Sequence, residues 1–369
     1  MKNGLSLAIA VLLVITLTSC ETDELLILNT ESQYNKVIIA DIAGREVSLP
    51  SSINKVVVFG RGAARLVIYS GGVEKLAGVS DMDKSKEINM PYTVIYAERF
   101  ASLPSVGVGG AKDSAYEEEI LSIQPDVIIS THDDVTSESL QNKLGIPVVC
   151  VSNQGGVFDE SLYDSLRILG KMFGTQVHVD QLIQKMEGWK ADLVDRVQKS
   201  TMNKDAKVYV GGVNYLGARG FDGSYAKYPP FEVLGINNIA NITGTSGAVT
   251  FDKETIASID PDFIFLNPLN MDIINEDYRS AMSYYDSLKA VKNSQVYSQP
   301  PFNYNGTNVE IAISDAYYAG KTLFPDIFDD VNMKDITNQI SRAFLNGEIY
   351  DLLTNENLGY FKISLGKRQ

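Results

Sequence analysis

YEEEILSIQPDVIIS, residues 116–130, and FDKETIASIDPDFIFLN, residues 251–267, are two versions of one phrase. Glu118 aligns with Glu254, Ile120 with Ile256, Ser122 with Ser258, Ile123 with Ile259, and Pro125-Asp126 with Pro261-Asp262. Each copy reads as a short helix, a proline stop and a strand. The proline pushes the residue before it out of the α region, which ends the helix. The continuous apolar run after it has the character of a strand covered on both faces. Ile120, Leu121 and Ile123 in the first copy, and Ile256 and Ile259 in the second, are expected to cover a sheet. The same grammar at two distant places predicts two α/β units.

The flanking sequence extends both units. KVIIADIAGREVSLP predicts a small hairpin turning at Ala43-Gly44 and stopped by Pro50. KVVVFG, residues 55–60, reads as a buried strand, GAARLVIYSGG as a helix ended by glycines, and KLAGVS as a further strand. ESLQNKLGIPVVCVS repeats helix, glycine and strand. After about Ser200, AKVYVGG, the PPFEVLGINNIA helix, the second copy of the phrase, the KNSQVYSQP strand and NVEIAISDAYYAGKTLFP restart the pattern, and DITNQISRAFLNGEIYDLLT adds helix. Strands alternating with helices predict largely parallel sheets. Between the units, Leu166, Leu169, Met172, Phe173, Val177, Leu182, Met186, Trp189 and Leu193 keep a helical period, with Gly170 and Gly174 as points of break or kink. The fold class is therefore α/β: two lobes with central, mostly parallel sheets, joined by one long interlobe helix. The boundaries are an N-terminal lobe at 37–157, the interlobe helix at 158–202 and a C-terminal lobe at 203–369.

The N-terminus is of a different kind. Lys2 is followed by GLSLAIAVLLVITLTSC, an apolar run too short for a spanning helix and right for a signal-peptide core. LTSC resembles a lipobox, so residues 1–19 read as a signal peptide, Cys20 as the lipid-bearing first residue, and 20–36 as a tether. The only other cysteine, Cys150, falls in an apolar strand, and no zinc-type spacing exists. A net charge of −14 argues against nucleic acid, whose phosphates need a basic surface.

Ligands of open α/β sheets bind beyond the carboxyl ends of the strands. That rule selects Arg61 and Gly62 after KVVVFG, His132 after DVIIS, Asn214, Tyr215 and Arg219 after AKVYVGG, and Asn303 and Tyr304 in PPFNYNGTN after the last strand. Arg61 suits an anionic group, and Tyr304 flanked by amides suits a chelate with flat faces and polar edges. With two histidines in the chain, an imidazole-rich site for a bare metal is not expected, and no residue is assigned as a metal ligand. Gly60-x-Gly62 between strand and helix is a partial dinucleotide fingerprint, but Arg65 occupies its third glycine position. No P-loop, nucleophile elbow or HExxH occurs, so the chain does not read as an enzyme.

The repeated phrase behind a lipobox resembles the substrate-binding lipoproteins of ABC importers for iron-siderophores, haem and cobalamin, from DIAGREVSLP to the second copy. The resemblance implies a monomeric extracytoplasmic protein, lipid-anchored at the outer face of the membrane. It would bind an iron chelate between its lobes and carry no intrinsic cofactor. Its partner would be a permease dimer with ATPase subunits. It also implies that one surface glutamate per lobe docks on the permease: Glu118, within the run Glu117–Glu119, and Glu254. A carboxylate in a helix's first turn also suits the helix dipole without any partner. Molybdate or tungstate, haem and cobalamin remain alternative ligands. An exported enzyme or a sensory lipoprotein are alternatives of another class.

Overall fold

The computed structural model describes residues 36–152, 156–201, 203, 205–215 and 217–367. A hairpin opens it: β1 (Lys36–Ala40) pairs antiparallel with β2 (Glu46–Pro50), Lys36 opposite Pro50. Asp41 closes its turn by accepting the amides of Ala43 and Arg45, each at 3.0 Å, and its other oxygen takes the Cys150 amide at 3.1 Å. With the Ile42 amide on the Cys150 carbonyl at 3.2 Å and the Arg45 guanidinium on the Val148 carbonyl at 2.8 Å, that buried carboxylate docks the hairpin on the first lobe.

The first lobe holds β3 (Val56–Phe59), α1 (Ala63–Tyr69), β4 (Leu76–Gly78), α2 (Glu117–Ile123), β5 (Val127–Ser130), α3 (Asp134–Leu144) and β6 (Val148–Cys150). Its four strands run parallel in the order β4-β3-β5-β6, with Val56 opposite Val127 and Ile128 opposite Val148. Then come α4 (Glu160–Phe173) and α5 (Gln176–Lys199). The second lobe holds β7 (Val208–Gly211), β8 (Gly223–Ala226), β9 (Gly247–Thr250), α6 (Lys253–Ile259), β10 (Phe263–Leu266), α7 (Met271–Ser280) and β11 (Val296–Ser298). Here the parallel order is β11-β10-β7, and β8 with β9 forms a separate antiparallel pair. The chain ends in α8 (Val309–Leu323), α9 (Met333–Leu345) and α10 (Tyr350–Asn355).

The repeated phrase builds one device twice. Helices α2 and α6 are both seven residues long, and both end on a left-handed residue directly before the proline: Gln124 at φ 52° and Asp260 at φ 54°. Asp126 then accepts the amide of Lys55 at 2.8 Å, at the foot of β3, and Asp262 accepts the amide of Lys207 at 2.9 Å, at the foot of β7. The same two lysines return the bond with their ammonium groups, to the carbonyls of Ile123 and Ile259 at 3.3 and 2.8 Å. These cations satisfy carbonyls that a helix C-terminus leaves unpaired. The Pro-Asp pair thus ends a helix and sets the register of the neighbouring strand. Ile120 and Ile256 are fully buried under the sheets. Leu121 is not: it is 48% exposed, on the outer face of α2.

The helical stretch expected over 158–202 resolves into two helices. Gly174, at φ 72°, caps α4 in the left-handed conformation, and the 24-residue α5 starts after it. At 1.5 Å per residue α5 is about 36 Å long, and it packs on α4 and on α8. Gly170 serves packing instead, because a Cβ there would meet Val179 of α5 at 2.8 Å. PPFEVLGINNIA forms only one short helical turn, Pro229–Glu232, and a 3-10 segment, Ile239–Thr243, since Gly235 takes a positive φ between them. The C-terminal helices do not stay with the second lobe. In α9, Phe344 packs on Tyr69 of α1 with ring centroids 4.8 Å apart, and the Leu345 carbonyl accepts from the Tyr96 hydroxyl at 2.9 Å. One apolar core consequently runs from Val56 and Leu66 through Leu182 and Met186 to Phe265 and Ile313.

Candidate ligand-binding cleft

A cleft of about 1520 Å³ opens between the lobes, at the carboxyl ends of the strands. Arg61 follows β3, Asn214 and Tyr215 follow β7, Asn270 follows β10, and Asn303, Tyr304 and Asn305 follow β11, and all of them line it. The Asn270 amide donates to the Gly212 carbonyl at 2.7 Å and to the Asn214 side-chain oxygen at 2.6 Å, which fixes the second-lobe wall.

The Gly60-Arg61-Gly62 turn shows why the first wall needs its glycines. Gly60 has φ 101° and Gly62 φ 70°, both in territory that side chains disfavour. Gly62 caps α1 and lies buried behind the wall. Thr131, at the end of β5, donates its hydroxyl to the Arg61 carbonyl at 3.0 Å and holds the turn in place. A Cβ on Gly60 would land on that hydroxyl and lie 3.1 Å from the Thr131 amide nitrogen. Gly60→Ala is therefore expected to destabilise the protein by about 3 kcal/mol, the sum of backbone strain and overpacking. Urea denaturation would register it as a lower midpoint at unchanged m-value.

His132 and Arg219 stand off the wall. The His132 ring lies 4.2 Å from that of Phe59, and its Nε2 is 3.0 Å from Oδ2 of Asp113. Asp113 in turn accepts the Gly109 amide at 2.9 Å, so His132 braces the loop that brings Gly110 and Ala111 to the cleft. Arg219 is exposed and donates to the Tyr215 carbonyl at 3.1 Å, as a local turn brace.

Three cations and three carboxylates line the cleft: Arg61, Lys190 and Lys227 against Glu87, Asp159 and Glu232. They are not equally available. Asp159 caps α4, accepting the Ser161 amide at 2.7 Å, and that bond holds its pKa below the usual carboxylate range. Burial, and then the Glu87 carboxylate beside it, raises the Tyr304 phenol. Arg61 spends only its Nε, on the Gly110 carbonyl at 3.3 Å, and neither Arg61 nor Lys227 forms an ion pair among the described residues. Lys190 is paired with Glu187 at 3.5 Å, which leaves Arg61 and Lys227 as cations and Glu87 and Glu232 as carboxylates without an ion pair among the described residues, and the remaining lining is rich in amides and phenols. Among the described residues no group of three His, Cys, Asp or Glu side chains is placed to hold a metal ion. Sequence reasoning did not find Glu87, Lys190 or Lys227. Lys190 stands on the interlobe helix, where nothing local separates it from an ordinary exposed lysine.

Glu118 and Glu254 are exposed in the first turns of α2 and α6, outside the cleft lining. Glu117 is engaged by Lys143 at 2.6 Å, which leaves Glu118 and Glu119 as the unpaired acids of that run. Cys20 and the rest of the segment up to residue 35 lie outside the described residues. Among the described residues no helix is long and apolar enough to cross a membrane.

Two α/β lobes, a continuous helix behind them and a polar cleft between them define a solute-binding protein. The chain belongs to the periplasmic binding protein family, whose profile matches residues 56–301. The molybdate-binding protein MolA of Haemophilus influenzae is 22% identical over 330 residues, covering 83% of this chain and 90% of MolA. The crystal structure of a periplasmic solute-binding protein from Veillonella parvula superposes with a TM-score of 0.70 at 21% identity, covering 88% of this chain and 97% of the other. The nickel–histidine complex of CeuE from Helicobacter pylori superposes with a TM-score of 0.61 at 16% identity, covering 88% and 99%. This is the class III architecture of ABC-importer binding proteins, and the chain is a binding protein, not an enzyme.

Proposed function

We propose that the protein captures an anionic metal chelate of the iron-siderophore type in the interlobe cleft and hands it to an ABC permease. The observation that carries this reading is the cleft itself. Its volume is above that of a drug-sized pocket and far more than a bare oxyanion would fill. Its unpaired Arg61 guanidinium faces amides and phenols, which suit the polar rim and flat faces of a chelate. In the same reading the protein acts as a monomer, anchored through lipid on Cys20, with Glu118 and Glu254 seating it on the permease. The second reading is molybdate or tungstate, favoured by the likeness to a molybdate-binding protein.

Calorimetric titration of the protein against ferric tris-catecholate, a ferric hydroxamate, haem, cobalamin, molybdate and tungstate separates these readings. Sub-micromolar binding of one ferric chelate supports the first. A response to the oxyanions alone replaces it with the second. Arg61→Ala is expected to weaken the chelate by about 10- to 100-fold, the value of a charge-assisted hydrogen bond. Arg61→Lys should recover part of that loss. Equal affinity in all three proteins would remove Arg61 from the site.

A further inference from the structure

Arg65 is fully buried, with 0% exposure, although it is a cation on a short helix of the first lobe. Its guanidinium reaches across to the second lobe. Nη1 donates to the Asn305 carbonyl and Nη2 to the Tyr304 carbonyl, both at 3.1 Å. Its Cζ lies over the Tyr92 ring, 4.7 Å from the centroid, and the Tyr92 hydroxyl donates to Asp83 at 2.6 Å. Two further contacts cross between the lobes beside it: the Asn308 amide donates to the Asn89 carbonyl at 2.8 Å, and the Tyr69 hydroxyl donates to Glu310.

The carbonyls that Arg65 holds belong to the loop that lines the cleft. Asn303 bridges to Thr307, and Tyr304 donates its amide to the Gly306 carbonyl at 3.1 Å, with Asn305 at φ 50° and Gly306 at φ 87°. Such a tight turn leaves its outward carbonyls without partners of their own. A rigid planar fork can take two of them at once, which a lysine ammonium, a point charge on a flexible stem, cannot do in the same geometry. Burying a cation is costly unless it is well paired, so this position is poorly explained by packing alone. An apolar residue on the inner face of α1 would fill the core more cheaply.

We propose that Arg65 is the positioning residue of the cleft: from the first lobe it holds the 303–307 loop of the second at the height where Asn303, Tyr304 and Asn305 meet the ligand. The proposal rests on reading the cleft as the ligand site. It also ties lobe separation to release, because parting the lobes at the cleft floor withdraws the guanidinium from both carbonyls and frees the loop.

Hydrogen exchange followed by mass spectrometry on the full mature protein tests it, with wild type beside Arg65→Lys. In Arg65→Lys, amides in the 303–307 segment are expected to exchange at least tenfold faster while β3 and β5 keep wild-type protection. Dissociation of ferric tris-catecholate or molybdate, whichever the wild type binds, should quicken by a similar factor. Unchanged exchange in 303–307, or an equal rise across the core strands, overturns the proposal. If neither probe binds the wild type, loop exchange alone decides the positioning role, and the ligand reading fails only if the rest of the calorimetric panel is silent as well. If Arg65→Lys does not fold, the wild type decides: protection of 303–307 near that of α1 supports the proposal, and protection no greater than that of the exposed 217–220 turn overturns it.

Discussion

Replacing Glu118 and Glu254 together by alanine is expected to cut uptake by roughly 100-fold and leave ligand affinity within about twofold of wild type. Both side chains are exposed, stand one residue into matching helices, and lie away from the cleft lining. Neither forms a cap: α6 is capped by Asp252, which accepts the Thr255 amide at 2.7 Å, and α2 starts at Tyr116 without a side-chain cap bond. Their fold roles are therefore slight, worth a few tenths of a kcal/mol through the helix dipole. A carboxylate on each of two lobes suits a partner with two like subunits, where exposed charge sets orientation and encounter rate. Transport into proteoliposomes carrying the cognate permease, with calorimetry on the same variant, measures both quantities. Lost affinity would move these residues into the binding machinery, and unchanged uptake would return them to ordinary helix chemistry. Glu117→Ala serves as the control, since Lys143 already engages it.

The second large effect concerns pH. Asp315 of α8 is fully buried, accepts the Tyr360 hydroxyl at 3.0 Å on Oδ1, and has no partner for Oδ2. Burial pushes its pKa well above the ordinary 3.8, outweighing the Tyr360 hydrogen bond and the nearby Tyr228 hydroxyl, which pull it down. The folded protein then keeps a proton that the unfolded chain gives up. Stability from this group is complete below the unfolded pKa and is lost as pH rises towards the folded value, by up to about 1.4 kcal/mol per pH unit. Asp315→Asn removes the dependence, because the amide places an N–H where the neutral acid has its O–H and never ionises. The variant is expected to match wild type near pH 4 and to exceed it progressively up to neutrality. Asp83 and Glu310, also raised by burial, contribute equally to both proteins and cancel in the difference. Urea denaturation at pH 4, 5.5 and 7 checks the slope, and a constant offset between the two proteins would contradict a neutral Asp315.

Most of the architecture was readable because its signals are local. Helix, proline, aspartate and apolar run lie within some fifteen residues in each copy, and the glycine stop at 145 and the hairpin turn at Gly44 lie equally close to what they terminate. Arg61, Asn214, Tyr215, Asn303 and Tyr304, selected by strand ends, line the cleft for the same reason: position after a parallel strand is a property of order along the chain. Gly62, His132 and Arg219 are not on that lining: Gly62 is buried behind it, and the two side chains turn to Asp113 and to the Tyr215 carbonyl. Pattern also could not separate Leu121 from Ile120, because both follow the helix period and only docking decides which face meets the sheet.

Order along the chain thus settled the lobe grammar, the repeated helix–Pro–Asp–strand device and the strand ends from which a ligand is met. Packing between distant segments settled the rest. Arg65 holds carbonyls some 240 positions away, Lys190 reaches the cleft from the interlobe helix, and α9 crosses to cover α1. Each depends on how two separate sheets approach one another. That approach is set by the summed burial of a shared core and by the few buried polar groups that must find partners across it, and no window of sequence contains either.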